Sequence, residues 1–457
     1  MVLSSAPKSG DVAPVRVALV HLGCARNQID SEVMLGHLAD QGVYLASCVE
    51  DAEVAILNTC AFIGPAREES EARIRDLVAR KQAGELKGVV VAGCLPQLRL
   101  SEVEERFPEV DAFLQLSDYS EVPNIVSRVA GGARDLRRAV SGAPKNTSSD
   151  RVRLLASPPS YAYLRISEGC DHQCSFCIIP TIRGKMRSKP IETLVEEARQ
   201  IADLGVPEIV VVAEDSTGYG RDLGQRHLLP RAIEALADVP GIAWVRVMYA
   251  YPNDFPWDLT RLLREHPRVV PYLDIPTQHI ATNMLRAMRR AGSGDAVRAV
   301  LERLRSEVPG IALRTTLLVG FPGESEADFA ELEQFVESFA FDRLGAFAYS
   351  PEPGTSGYGL PGRVDAALAE ARRSRLLELQ GRIVRAANQA RVGETLPVLI
   401  DEVDGKSFVG RTERDAPEVD CAVLGRSRRA LEAGSMIRAR VLGVSEDGYD
   451  LRVEVVS

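Results

Sequence analysis

The chain lacks any apolar run near the roughly 18 residues that a membrane-spanning helix needs. Its polar start, residues 1–14, also lacks the apolar stretch of a secretory signal. Cysteine is scarce, with eight among 457 residues. Thiols so widely spread do not make a disulfide framework, so a reducing, cytoplasmic setting is expected, with thiols available for metals or catalysis. Nor is there an excess of positive charge: 55 Lys and Arg stand against 64 Asp and Glu, a net of −9. No global field gathers nucleic acid, and a polyanion would need a local basic patch. What remains is ordinary globular composition, 45% apolar and 26% charged, which excludes wholesale disorder. At about 150 residues per domain, the length suggests three domains.

Residues 1–14 are expected to be a disordered head. Residues 15–130 alternate predicted strands at 15–20, 53–57 and 88–92 with predicted helices at 27–41, 65–83 and 101–106. That rhythm predicts a doubly wound, parallel α/β domain. Residues 131–159, rich in Gly, Ala, Arg, Ser and Pro, read as a linker. From 160 to 385 six strand-helix units predict a partial β/α barrel, TIM-like, closed by a long helix over 366–392. The tail, 386–457, shows short alternating strands that suit a small antiparallel β-barrel. The fold class is therefore α/β and multidomain.

Chemistry concentrates in the cysteines. Glu168-Gly-Cys170-Asp-His-Gln-Cys174-Ser-Phe-Cys177 places three thiols at C-x3-C-x2-C, directly after the first barrel strand. Such a loop can wrap one iron-sulfur cube and leave one iron open. Structural zinc asks for four closed ligands, and His172 is poorly placed to be the fourth. Cys24, Cys60 and Cys94 form a second set, in His21-Leu-Gly-Cys24, Asn58-Thr-Cys60 and Ala92-Gly-Cys94. Each follows a strand of the first domain, and in a parallel sheet the carboxyl ends share one edge, so three thiols are expected to converge. Gly23 and Gly93 fit a need for close backbone approach. Cys48 and Cys421 fall outside both sets and are expected to be structural.

The C-x3-C-x2-C loop, with Phe176 before its last cysteine, resembles the radical S-adenosylmethionine (radical SAM) superfamily. The resemblance implies a 4Fe-4S cluster on the catalytic Cys170, Cys174 and Cys177 that donates an electron to S-adenosyl-L-methionine and releases a 5'-deoxyadenosyl radical. Glu214 and Ser216, with Asp215 between them, end the second barrel strand, and Gly320 and Gly323, with Glu324, end the fifth. These could bind the ribose, adenine or methionine group, though plain turn chemistry explains them equally well. Arg187, with Arg183 and Ser188, could reach the ligand carboxylate or simply face solvent. Pro276-Thr-Gln278-His279 follows the fourth strand and could line the cavity, with His279 expected as a satisfied core residue.

Two three-cysteine sets and a TRAM-like tail together resemble the methylthiotransferases, over about residues 15–457. That implies a second 4Fe-4S cluster on Cys24, Cys60 and Cys94 supplying sulfur through its open iron, and a second S-adenosylmethionine supplying the methyl group. It also implies an electron donor such as a flavodoxin or ferredoxin, a sulfur source, and one cavity faced by both clusters. The segments 22–31, 272–279 leading to 285–290, and 410–420 are similar to the RimO-like branch, which acts on the β-carbon of an aspartate in ribosomal protein S-12. Thr277 stands where that branch has Leu, and Ala25-Arg26 where it has Pro-Lys. The alternative, MiaB-like branch acts on an isopentenyl adenosine of tRNA. An unactivated C–H bond offers no acidic proton, so a radical fits the task. From the residues alone, a non-catalytic ribosome-associated zinc-binding protein remains a reading of another class.

The tail provides a separate test. From Arg391 to Ser457 ten Lys or Arg meet thirteen Asp or Glu, a net of −3. A barrel gripping tRNA phosphates should be basic, whereas an acidic one suits a basic protein surface. Arg426, Arg428 and Arg429 could still form a local RNA patch, and the acidic excess could be a solvated face.

Overall fold

The computed structural model describes residues 15–116, 119–133, 150, 152–290 and 292–456. The expected head and the greater part of the expected linker, 134–149, lie outside the described residues. Two compact units are formed, Met1–Ala156 with Thr181–Gly184, and Ser157–Pro180 with Lys185–Ser457. Among the described residues no helix is long and apolar enough to cross a membrane.

In the first unit the elements are β1 (Arg16–His21), α1 (Ala25–Asp40), β2 (Tyr44–Leu45), β3 (Val54–Thr59), α2 (Gly64–Gln82), β4 (Gly88–Gly93), α3 (Cys94–Arg106), β5 (Ala112–Leu114) and α4 (Val122–Ala130). The strands pair in parallel in the order β2-β1-β3-β4-β5, a doubly wound sheet. Every residue of β3 and β4 is buried, as in parallel strands covered on both faces. The sheet has five strands where three were expected. The added ones, two and three residues long, are too short to show a period. α3 starts at Cys94 and not near 101: Pro96 lies in its first turn, where a missing N–H costs little, and Arg99 (φ −139°, ψ 40°) kinks it. The end of the connector is fixed across α1. Buried Glu32 accepts from Arg153 Nε (2.6 Å) and the Ala156 N–H (3.0 Å). At Gly36 a Cβ would stand 2.7 Å from the Val152 carbonyl.

The second unit opens with β6 (Tyr161–Arg165), β7 (Ser167–Glu168), α5 (Ile179–Arg183, whose end packs in the first unit), β8 (Arg187–Ser188), α6 (Ile191–Asp203), β9 (Glu208–Val212), α7 (Leu229–Ala237) and β10 (Trp244–Val247). It continues through α8 (Asp258–Glu265), β11 (Val269–Asp274), α9 (Thr282–Ala287), α10 (Gly294–Glu307), β12 (Ala312–Val319), α11 (Glu326–Phe339), β13 (Arg343–Ala348) and α12 (Ala366–Ala390). Six of these strands form one parallel sheet in the order β13-β12-β11-β10-β9-β6, an open β/α barrel. Then β14 (Thr395–Asp404), β15 (Ser407–Arg411), β16 (Val423–Arg426), β17 (Met436–Val444) and β18 (Leu451–Val455) close a small barrel. This barrel departs from the antiparallel expectation at one pair, since β16 and β18 run parallel. Alternation reports which face a side chain takes, not which way a neighbouring strand runs.

The loop between β15 and β16 runs under the amino ends of the six-stranded sheet and fills its floor with charge. Arg246 Nε donates to Glu208 (2.7 Å), and Arg411 lies 2.7 Å from the other oxygen of the same carboxylate. Burial works against that charge, yet the two guanidiniums hold the Glu208 carboxyl below its usual range. Tyr161 and Tyr163 both donate to Glu418, Tyr272 donates to Asp420 (2.7 Å), and Arg314 bridges Asp420 to Asp274. Arg343 pairs with Asp415. Breaking one side of a buried pair costs more than the pair contributes. Asp415→Ala, which leaves Arg343 without its carboxylate, is therefore expected to lower unfolding stability by about 3–5 kcal/mol. A denaturant midpoint unchanged from the parent would show that the floor is not held this way.

Candidate active site

In the first unit, register gathers the cysteines. Thr59 pairs with Gly93, so Cys60 and Cys94 leave the sheet at one level. His21 pairs with Asn58, and the Leu22 N–H donates to the Asn58 carbonyl. Gly23, at φ +109°, then turns the chain against Cys60: a Cβ there would stand 3.5 Å from the Cys60 sulfur. Gly93 is tighter still, with φ +96° and a Cβ position 2.2 Å from Asn58 Oδ1. Cys24 caps the N-terminus of α1 and Cys94 begins α3, so two helix dipoles point positive ends toward the thiols. The three feel one another's charge: Cys60 and Cys24 both oppose ionisation of Cys94, and Cys24 that of Cys60.

Hydrogen bonds fix these loops. Asn58 Nδ2 donates to the Asn27 carbonyl and to Ser31 Oγ, both at 2.8 Å. The Thr59 hydroxyl donates to the Ala92 carbonyl (2.6 Å), and Ser70 Oγ to that of Cys60 (2.8 Å). Arg183, 1% exposed, donates to Asp30 (2.7 Å) and to the Cys94 sulfur (3.8 Å). Its burial overturns the solvent-facing alternative and places it beside the thiols of the first set.

In the second unit the C-x3-C-x2-C loop is clamped from several strand ends. Cys177 N–H donates to the Cys174 carbonyl (3.1 Å), closing a tight turn. Between them Ser175 donates from N–H to the Met288 carbonyl and from Oγ to that of Ala287, and accepts from the Gly357 N–H. Phe176 packs on the apolar group of Met288, Leu318 and Phe321. His172 is bonded to buried Asp215 (2.7 Å) and stacks on Tyr251 with ring centres 4.0 Å apart. Burial opposes the Asp215 charge, but bonds from His172, Thr217 and the Gly218 N–H hold its carboxyl below the usual range. Burial pushes the Cys170 thiol up to about 12, with Asp215, Cys177 and Glu214 adding to the rise.

Of the expected cofactor contacts, Glu214 therefore lies near Cys170. Ser216 donates to the Met248 carbonyl and ties the ends of β9 and β10 together. Gly320 serves packing, since a Cβ there would stand 2.3 Å from that of Ala369 on α12. Gly323, at φ +87°, has room around it and bonds Gly362. Arg187 pairs with Glu168 across β7 and β8 and donates to the Lys185 carbonyl. His279 is fully buried and accepts from the Ala281 N–H, but among the described residues its Nε2 makes no hydrogen bond and stands 3.6 Å from Glu324, so the histidine is in the core but not satisfied as expected. Cys421 is buried, whereas Cys48, expected like it to be structural, is exposed and donates to Asp51. Among the described residues no three His, Cys, Asp or Glu side chains lie close enough to share one metal ion. Sequence reasoning missed Asn27, Asp30, Asn58 and Arg290 as parts of the two sites. The only early signal for them was their place in stretches quoted for other reasons.

The thiols of the first set differ in acidity. Burial pushes Cys24 up, but Arg26, Arg183 and two backbone N–H groups outweigh it and leave the thiol below its ordinary value. Burial prevails at Cys60, and at Cys94 it pushes the thiol up to about 12 despite Arg183. A lowered pKa leaves more thiolate near neutral pH, so iodoacetamide is expected to modify Cys24 of the metal-free protein before Cys60 and Cys94. Peptide mass spectrometry over a time course measures this; equal rates at Cys24 and Cys94 would contradict the ordering.

Comparison with known proteins places all three modules. The family described as "Uncharacterized protein family UPF0004" matches residues 16–115, the radical SAM superfamily 164–336, and the TRAM domain 392–456. "Ribosomal protein uS12 methylthiotransferase RimO" of Trichlorobacter lovleyi is 41% identical over 450 residues, covering 98% of this chain and 99% of that protein. The protein of the same name from Syntrophus aciditrophicus is 42% identical, covering 96% and 98%. That from Myxococcus xanthus is 40% identical, covering 97% and 92%. Among solved structures, the radical S-adenosylmethionine methyltransferase TsrM from Kitasatospora setae matches 76% of this chain and 77% of its own, with TM-score 0.54 and 13% identity, a likeness of fold. By its full-length identity to these relatives, the chain belongs to the RimO family of ribosomal protein uS12 methylthiotransferases.

Proposed function

We propose that this chain replaces a hydrogen on the β-carbon of an aspartate in ribosomal protein S-12 by a methylthio group, using radical S-adenosylmethionine chemistry and two 4Fe-4S clusters. The observation that carries the reading is full-length similarity at about 40% identity to proteins of that name, in a chain that holds two separate thiol sets. Cys170, Cys174 and Cys177 hold one cluster, and Cys24, Cys60 and Cys94 the other. The donor sets fit such groups. The first offers three thiols past three strand ends and the second three thiols in one loop, one buried or half-buried guanidinium donates to a sulfur of each, and helix N-termini face the first set. Bound there with S-adenosylmethionine, the clusters supply the carbon radical chemistry and the sulfur that the protein's own side chains cannot.

The chain's residues position and protect. Ser175 and Phe176 fasten the loop of the second unit, and Phe176 with Met288 and Leu318 keeps water from its underside. Glu214 and the open backbone at Gly323 are proposed to contact S-adenosylmethionine, with Ser216 and Gly320 bracing the rim. Cys94 and Cys170, both pushed up by burial, must release protons to bind iron, so filling is favoured as pH rises. An external one-electron donor of the flavodoxin or ferredoxin kind and a sulfur source complete the system, in the cytosol.

Anaerobically reconstituted protein is expected to carry about eight iron atoms per chain. It should add one methylthio group to ribosomal protein S-12 on incubation with reductant, a sulfur source and S-adenosylmethionine. Cys174→Ala should abolish 5'-deoxyadenosine formation, while Cys94→Ala should retain it and lose the methylthio product, with about four iron atoms left. A product found on tRNA alone would reverse the substrate assignment.

A further inference from the structure

Arg290 stands beside the cysteine loop of the second unit. Its Nη1 donates to the Cys174 sulfur at 3.7 Å, and its Nη2 donates to the Pro276 carbonyl at the end of β11. Its guanidinium carbon lies 4.0 Å above the Tyr251 ring. Tyr251 in turn stacks on His172, which buried Asp215 holds. The cation is thus gripped by a carbonyl, an aromatic face and a thiol, and neither of the two hydrogen bonds described goes to a carboxylate. A guanidinium used only for packing gains most from a carboxylate partner; here the charge is directed at a candidate cluster ligand.

We propose that Arg290 is a positioning residue that sets the reduction potential of the cluster held by Cys170, Cys174 and Cys177. The inference rests on the function proposed above. Reduction adds one negative charge, spread largely over the sulfurs. A fixed cation donating to a ligand sulfur stabilises the reduced form more than the oxidised one, and so raises the potential. Arginine stays charged across the working pH range, so the contribution is constant. Half-burial strengthens it, because the local dielectric is below that of water. The Tyr251 face and the Pro276 carbonyl prevent the guanidinium from turning to solvent when the cluster is oxidised.

The test is a redox titration of reconstituted full-length protein followed by electron paramagnetic resonance, with S-adenosylmethionine added to mark the cluster that it perturbs. Arg290→Gln is expected to keep its iron and to shift that signal's midpoint to more negative potential. At the wild-type midpoint the reduced-to-oxidised ratio should fall about threefold or more, a tenfold change being about 59 mV for one electron. Arg290→Lys should fall between the two. Tyr251→Leu, which keeps the cation but removes its platform, should shift in the same direction by less, and it decides the matter if Arg290→Gln fails to fill. An iron-replete Arg290→Gln protein with the wild-type midpoint overturns the inference and leaves the proposed function standing. Wild-type protein without any signal responsive to S-adenosylmethionine removes both.

Discussion

Residues 24, 60 and 94 meet because β1, β3 and β4 are locked in one parallel register. Backbone pairing alone sets Cys60 beside Cys94; Cys24, which trails its strand by two extra residues, needs the turn at Gly23 to return to them. A slip of one residue would send a thiol to the other face of the sheet. The amides of Asn27 and Asn58 and the hydroxyls of Thr59 and Ser70 oppose that slip by donating to backbone carbonyls of neighbouring segments, and Ser31 Oγ does so by accepting from Asn58. Buried polar groups are costly when unpartnered, so each bond also penalises the misaligned alternatives. A side chain at residue 93 would meet Asn58 itself, so the tight turn and the clamp that steadies it depend on the same glycine.

The two cysteine sets were legible to different degrees, for a physical reason. The loop at 170–177 is local, so its spacing is visible in a single line of sequence. The other set is recognisable because each cysteine repeats one relation to its own strand, a regularity that survives any sequence separation. The two guanidiniums had no such regularity. Arg183 meets Asp30 across 153 residues, and Arg290 meets Cys174 across 116. An arginine in a polar stretch looks the same whether it ends in solvent or on a sulfur. The same limit applies to the fold: six strands of four to eight residues announced the open barrel, while β2, β5 and the parallel partner of β16 depend on pairings that no local pattern encodes.

The open barrel treats its two ends differently. Its carboxyl-end loops carry the cysteines, Asp215, Tyr251 and Gln278, the last a non-glycine residue at φ +69°. Strain of that kind persists where surrounding contacts over-determine the backbone, as the Gln278 bonds to Thr316 and Leu318 do. Its amino end is plugged by charge from the tail, and the plug reaches upward. Asp420 meets Arg314, Arg314 meets Asp274, and Asp274 accepts from the Tyr249 N–H on the opposite side of the sheet's midline. The tail is therefore structural to the barrel, whatever else it binds.

That plug changes what the tail's charge can mean. The net of −3 over residues 391–457 would favour a basic partner if it were displayed, but part of it is spent inside the second unit. Asp401, Asp415 and Asp420 are engaged with Arg411, Arg343 and Arg314, while Arg411 and Arg414 turn inward as well. Without these three acids and two bases, ten acidic and eight basic residues remain, a smaller acidic excess of two. Coulomb steering depends on the charge that faces solvent, since paired and buried charge is cancelled at short range. The choice between a protein and an RNA substrate therefore cannot be read from the tail's composition and rests on the full-length kinship. Any electrostatic recognition by the tail must come from the arrangement of its exposed residues, not from their sum.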